Sequence, residues 1–179
     1  MNKNRALLLD RDGVINIDNG YVGSIDQFEF MPGLFPFLRG ARDKGYRLAV
    51  LTNQSGVARG LYSIEDYNRV TAHMLEGLRR EKIDIDLTLA SFEHSEGTVA
   101  AYARESFWRK PNPGMVLEAI RRLDLDPASS VFLGDNLRDM QAAQNGGIKH
   151  CLWLTQKAVE IPVGVVVVKN YDEARQRLP

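Results

Sequence analysis

Two periods of hydrophobicity alternate along the chain. Six short runs dense in leucine, alanine and β-branched residues fall at 6–9, 47–52, 87–91, 130–133, 150–154 and 163–168. They alternate with five segments of amphipathic period at about 34–45, 63–82, 113–124, 138–146 and 171–178. Near-continuous apolar runs of this length suit strands buried on both faces, and the helices between them imply parallel neighbours joined by right-handed crossovers. The expected class is α/β, a mostly parallel sheet with helices on both faces. Breakers agree with the segmentation: "PNPGM" and "DPASS" flank the helix at 113–124, and Gly146 and Gly147 follow the one at 138–146. No repeat, low-complexity tract or linker interrupts the pattern, so residues 1–179 are expected to form a single domain.

Composition removes several function classes. With 23 basic and 23 acidic residues the formal net charge is zero, which gives no broad basic surface for nucleic acid or an anionic membrane. No apolar stretch approaches the roughly 20 residues that span a bilayer, and the apolar segment before the first aspartate is too short for a signal peptide. A cytoplasmic monomer with neither nucleic-acid nor membrane partners is the expectation. The single cysteine, Cys151 in "HCLWLT", reads as a buried strand thiol, and His73 and His150 read as ordinary helix and strand residues.

The chemistry gathers where the strands end. The first run closes in "DRDG", placing Asp10 and Asp12 one residue apart, where like charges repel unless a cation compensates them. The second run delivers Thr52 and Asn53, the fourth delivers Gly134 and Asp135, and "RKPNPG" places Arg109 and Lys110 just ahead of a helix that its prolines help to start. In an open parallel sheet these strand ends share one rim, where ligands bind. Three carboxylates, a hydroxyl and two cations on one rim suit Mg²⁺ with a phosphate held against it. Each piece alone is common loop chemistry: a lone Asp-x-Asp is usually a solvated turn, and "LTNQSG" could be a helix entry. Their order, each after a strand, makes the joint coincidence improbable.

"DRDGVIN", "LTNQSGVARG", "RKPNPGM" and "GDNLRDM" together resemble the haloacid dehalogenase (HAD) superfamily, and more narrowly its histidinol-phosphate and heptose 1,7-bisphosphate phosphatase branch, over about residues 5–154. The resemblance implies a Rossmann-like fold and a Mg²⁺-dependent phosphomonoester hydrolase. It implies Asp10 as the nucleophile that forms an aspartyl-phosphate and Asp12 as the acid and base. Thr52 and the Asn53 amide would hold phosphoryl oxygens, and Lys110 would neutralise both Asp10 and the transferring group. Asp10, the main-chain carbonyl of Asp12, and Asp135 are the implied metal ligands. Asp139 is left between two roles, orienting Lys110 or capping the helix at 138–146.

Too few residues separate Asp12 from Thr52, and Thr52 from Lys110, for a separate cap domain, so an open site should be covered by three loops, 16–31, 55–62 and 92–108. Arg59 and Arg109 are candidate contacts to the distal part of a sugar phosphate. Heptose 1,7-bisphosphate is the favoured substrate, histidinol phosphate the second, and a noncatalytic phospholigand-binding protein the alternative from another class. Relatives that prefer bisphosphates often carry lysine after the metal aspartate, where this chain has Asn136. Family members bind zinc in the third loop through cysteines and a histidine. Here the equivalent places read Ser91, Glu93, Ser106 and Trp108, with His94 nearby, a set too poor in ligands for structural zinc. A cluster of Phe92, Tyr102, Phe107 and Trp108 is expected to order the loop instead, and the spacing in "EGTVAAYARESF" predicts a short helix with Val99, Tyr102 and Ser106 on one face.

Overall fold

The computed structural model describes residues 3–157 and 160–179. Six strands, β1 (Ala6–Leu9), β2 (Arg47–Asn53), β3 (Leu87–Ser91), β4 (Val131–Gly134), β5 (His150–Leu154) and β6 (Val165–Val168), form one sheet in the order β3-β2-β1-β4-β5-β6, every pair parallel. Among the described residues α1 (Leu34–Asp43), α2 (Ile64–Arg80), α3 (Gly114–Leu123) and α4 (Leu137–Asn145) connect β1 through β5 in turn, and α5 (Tyr171–Gln176) follows β6.

Alternation along each strand decides which helices lie on which face. Leu7 and Leu9 of β1, Leu48 and Val50 of β2, and Val131 and Leu133 of β4 are buried together with the apolar sides of α1, α2 and α5. Ala6 and Leu8, Ala49 and Leu51, and Phe132 point the other way, into a second core with Met115, Val116 and Ala119 of α3 and Met140, Ala142 and Ala143 of α4. Both faces being covered explains why these strands read as unbroken apolar runs.

The elements sit within a few residues of their expected places, and the shifts have local causes. The 63–82 segment begins its helix one residue later, because Ser63 caps it by accepting from the Asp66 amide, and ends early, where Lys82 takes φ +60°. Ser130 lies outside β4: its hydroxyl receives the Ala6 amide and donates to the Asp126 carbonyl, tying a turn to the first strand. The last strand starts at Val165, after a turn at Gly164 with φ +80°. Cys151 is buried in β5. His73, on α2, packs edge-on against Phe28.

The order β3-β2-β1-β4-β5-β6 has its switch point between β1 and β4, whose succeeding helices leave toward opposite faces. That parting opens a crevice at the carboxyl ends of the two strands that carry Asp10 and Asp135.

Candidate active site

Asp10 follows β1 directly and is nearly buried; its Oδ1 accepts from the Arg11 amide at 2.7 Å. Lys110, fully buried, reaches Asp10 Oδ1 at 3.0 Å and Asp139 Oδ1 at 2.7 Å, and its ammonium donates to the Leu51 carbonyl at 2.7 Å. Burial disfavours the charged ammonium, but the two carboxylates outweigh it and raise its pKa. Asn53 sets the lysine's backbone: its side chain donates to the Lys110 carbonyl and accepts from the Lys110 amide, each at 3.0 Å.

Asp135 follows β4 and faces Asp10 across the crevice. A Cβ built on Gly13 would stand 2.2 Å from Asp135 Oδ2, so the glycine, at φ +78°, supplies both the turn and the space for that carboxyl. Trp153 Nε1 donates to the Asp135 carbonyl at 2.8 Å. Oxygens of Asp10, Asp135 and Asp139 lie within 4.8 Å of one another. Burial, then the charges of Asp10 and Asp139, push Asp135 up to about 7. Such an oxygen set, under-neutralised by one lysine, fits a hard divalent cation such as Mg²⁺. Asp139 performs both of its expected roles. It ion-pairs with Lys110 through one oxygen and accepts from the Asn136 amide through the other at 3.0 Å, closing a capping box at the start of α4. With both its oxygens engaged, Asp10 and Asp135 are left as the carboxylates open to a metal. Burial, then the Asp10 charge, raises the pKa of Asp139 even against Lys110.

The Asp12 side chain stands apart from that cluster. Its Oδ1 accepts from Arg11 Nε and Nη2 and from Asn16 Nδ2, and its Oδ2 accepts from Arg11 Nη2 and from Gln54 Nε2 at 2.8 Å. Burial raises its pKa while the Arg11 charge opposes. Thr52 is buried at the end of β2, its hydroxyl accepting from Gln54 Nε2 at 2.8 Å.

Above these groups lies a cavity of about 200 Å³ lined by Asp10, Asp12, Asn53, Asp135 and Arg109, together with Asp18, Tyr21, Ser55, Tyr62 and Arg138. The geometry thus brings Asp10, Asp12, Asn53, Arg109 and Asp135 to one cavity, with Thr52 and Lys110 buried beside them. Arg59 is directed elsewhere: its Nη2 donates to Glu96 at 3.1 Å and approaches His94 Nε2 at 3.3 Å, which ties loop 55–62 to loop 92–108. Its long side chain is captured by the neighbouring loop's carboxylate before it can reach the cavity wall. Arg11, Asn16, Gln54, Tyr62 and Arg138 were not foreseen. The four-residue spacing from Asp12 to Asn16 was the one readable signal, since both fall in a single turn of "DRDGVIN".

The third loop is ordered differently from the expectation. Residues 98–106 form turns and not a helix, Phe107 is 60% exposed and Trp108 37% exposed, and Phe92 packs instead against Tyr67 of α2. Polar contacts do the ordering. The amides of Thr98 and Val99 both donate to the Ala58 carbonyl, the His94 amide donates to the Tyr102 carbonyl, and Arg104 pairs with Glu93. Ser91 donates to Glu93, and beside them His94 Nδ1 accepts from the Glu96 amide.

No helix among the described residues is long and apolar enough to cross a membrane. A family model described as HAD-hydrolase-like matches residues 107–160. A D-glycero-alpha-D-manno-heptose-1,7-bisphosphate 7-phosphatase of Burkholderia mallei is 44% identical over 146 residues, 82% of this chain and 77% of its own. A D-glycero-beta-D-manno-heptose-1,7-bisphosphate 7-phosphatase of Helicobacter pylori is 36% identical over 174 residues, covering 97% of this chain and 96% of that one. Among solved structures, a HAD-like protein from Mesorhizobium loti superposes with a TM-score of 0.90 at 34% identity, covering 98% of this chain and 85% of its own. The D,D-heptose 1,7-bisphosphate phosphatase of B. bronchiseptica, solved with magnesium and phosphate, gives 0.83 at 28% identity over 97% of both chains. At 44% identity over 82% of this chain and 36% over 97% of it, the chain belongs to the haloacid dehalogenase superfamily of phosphatases, in its heptose-bisphosphate phosphatase branch.

Proposed function

We propose that this phosphatase hydrolyses the 7-phosphate of D-glycero-D-manno-heptose 1,7-bisphosphate. Asp10 attacks phosphorus in line: its carboxylate oxygen forms a bond to phosphorus as the ester P–O bond breaks. The leaving sugar oxygen keeps the bonding pair and takes the proton of Asp12. Asp12, now a carboxylate, accepts a proton from the water that hydrolyses the aspartyl-phosphate. Lys110 offsets the charge of Asp10 throughout, and Thr52 and the Asn53 amide hold phosphoryl oxygens. A bound Mg²⁺, held by Asp10, Asp135 and the Asp12 carbonyl, would supply charge neutralisation between nucleophile and phosphate.

The observation that carries the bisphosphate is the pair of arginines on the cavity wall. Arg109 is half-buried, and burial, then the nearby charges of Arg138 and Arg59, lower its pKa. Arg138 stands in the first turn of α4, where the helix dipole disfavours a cation. Two mutually repelling guanidinium groups facing a cavity suit a second anionic group on the substrate. They put positive charge on the cavity wall that the neighbouring Asn136 does not supply. Histidinol phosphate remains the competitor because Asp18, on the same wall, would suit its ammonium group. A binding-only protein would have no use for the acid and base Asp12.

Phosphate release from both anomers of the bisphosphate, from heptose 7-phosphate and from histidinol phosphate tests the reading. The bisphosphate should have the highest kcat/KM. Arg138→Ala should cost it about 10–100-fold, the value of one charge-assisted hydrogen bond of about 1.5–3 kcal/mol, and cost the monophosphate little. Faster turnover of histidinol phosphate, or an Arg138→Ala loss equal for both heptose esters, would refute it.

A further inference from the structure

Gln54 is 1% exposed and every polar atom of its side chain is committed. Nε2 donates to Asp12 Oδ2 and to Thr52 Oγ, both at 2.8 Å, and Oε1 accepts from the Tyr62 hydroxyl at 2.6 Å. Tyr62 therefore decides which end of the amide faces Asp12. Turned over, the amide would bring Oε1 against Asp12 Oδ2, two acceptors at contact distance. Burial pushes the Tyr62 hydroxyl up to about 12, so it stays a donor across the working range.

A second, independent feature shows that the ring's place is built. A Cβ on Gly56 would stand 2.1 Å from Tyr62 Cε1, and one on Gly23 would stand 2.5 Å from Cδ1. Neither glycine has a positive φ. What each supplies is the absence of a side chain, and both vacate space for the same ring, one from the 16–31 loop and one from the 55–62 loop.

We propose that Gln54, with its orientation set by Tyr62, is a positioning residue for the Asp12 carboxyl, and that the pair Tyr62–Gln54 aims Asp12 at the oxygen of the departing alcohol. Arg11 and Asn16 hold the Oδ1 side of the carboxyl, and among the described residues only Gln54 joins Arg11 Nη2 on Oδ2. Without the amide Oδ2 keeps only the 3.1 Å contact with Arg11 Nη2, and the carboxyl plane is pulled toward the Arg11 and Asn16 side. A proton donor turned away from the leaving oxygen loses part of the roughly 10²–10⁴-fold that general acid catalysis supplies. The inference rests on Asp12 being the acid and base of the proposed reaction, and not on which sugar the enzyme takes.

The dependence on the leaving group separates aim from bulk structure. Phenol release in the first turnover, with Mg²⁺-loaded enzyme in excess, is measured for aryl phosphates running from phenyl to p-nitrophenyl phosphate. A poor leaving group needs the proton and a good one does not. For Gln54→Leu the loss on phenyl phosphate should exceed the loss on p-nitrophenyl phosphate by at least tenfold. Tyr62→Phe, which deletes one hydroxyl and keeps the ring, should tilt the series in the same direction by a smaller factor. It also serves if the Gln54 variant does not fold. Equal losses across the series in both variants, or none, would overturn the proposal, because lost stability or a weakened Thr52 contact acts on every ester alike. Asp12→Asn is run beside them. If it shows no dependence on the leaving group, the role of Asp12 itself fails; if it does and Tyr62→Phe does not, only the Tyr62–Gln54 assignment fails.

Discussion

Replacing Lys110 by methionine separates its two duties, holding the site together and promoting transfer. The side chain keeps its length and loses the charge, leaving Asp10 and Asp139 to face each other with oxygens within 4.8 Å. At an effective dielectric of about 20 two such charges repel by roughly 3.5 kcal/mol. Removal of one partner from a buried ion pair generally costs about 3–5 kcal/mol, so that range is expected at pH 8. Asp139 escapes by taking up a proton. Its folded pKa is already raised above the unfolded value and rises further without the lysine. A carboxyl raised on folding binds more protons in the native state than in the unfolded one. Its contribution is therefore kept at low pH and lost, by up to about 1.4 kcal/mol per pH unit, between the unfolded value near 4 and the new folded value. Lys110→Met should thus lie closer to wild type at pH 5 than at pH 8 in urea unfolding of the metal-free protein. Adding Asp139→Asn, which keeps an oxygen for the Asn136 amide, should restore stability at pH 8 while turnover stays down by about 10²–10³-fold. A stability loss for Lys110→Met that is the same at both pH values, or a double variant no more stable than the single one, would refute the reasoning.

Three further outcomes are expected. Asp10→Asn should keep its fold and lose turnover by many orders of magnitude, because an amide cannot form the acyl phosphate; phosphate release within tenfold of wild type would refute the assignment. EDTA should abolish activity and Mg²⁺ restore it. Because Asp135, raised to about 7, must release its proton to bind, calorimetry should show Mg²⁺ affinity falling by up to tenfold per pH unit below about 7 and levelling above it, a dependence that Asp135→Ala should remove. Elemental analysis of protein purified without added metal should find far less than one zinc per chain; one tightly held zinc whose removal disorders loop 92–108 would contradict the ligand argument made from Ser91, Glu93, Ser106 and Trp108.

The sheet was legible because burial on both faces writes itself into every strand as an unbroken apolar run, and Asp10, Asp135 and Lys110 were legible because each sits beside such a run or a proline-marked helix start. The third loop was not. The period in "EGTVAAYARESF" is real, but the amides of Thr98 and Val99 are claimed by the Ala58 carbonyl, a partner forty residues upstream that no local window contains. Gln54 was hidden for a similar reason: its bond to Asp12 spans 42 residues, and in the sequence it is one polar residue in a polar turn between Thr52 and Tyr62. Arg138 reads as an ordinary first-turn surface residue until Arg109 is seen across the cavity. Arg59, whose charge suggested a contact to an anionic substrate group, is paired with Glu96 in the structure, a partner 37 residues away in the sequence.

The two halves of the sheet carry unequal freedom to change. Loops 16–31, 55–62 and 92–108 leave β1, β2 and β3, whereas β4 passes into α4 across only Asp135 and Asn136. A library that randomises the three long loops, keeping Asn16 and Tyr62 for their bonds to Asp12 and Gln54, should therefore sample new alcohols while Asp10, Lys110 and Asp135 stay constant, with the proposed recognition residue Arg138 varied on the β4 side. Descendants with altered substrates should be found by editing one edge of the molecule. Drift on the other edge should show first as altered metal dependence.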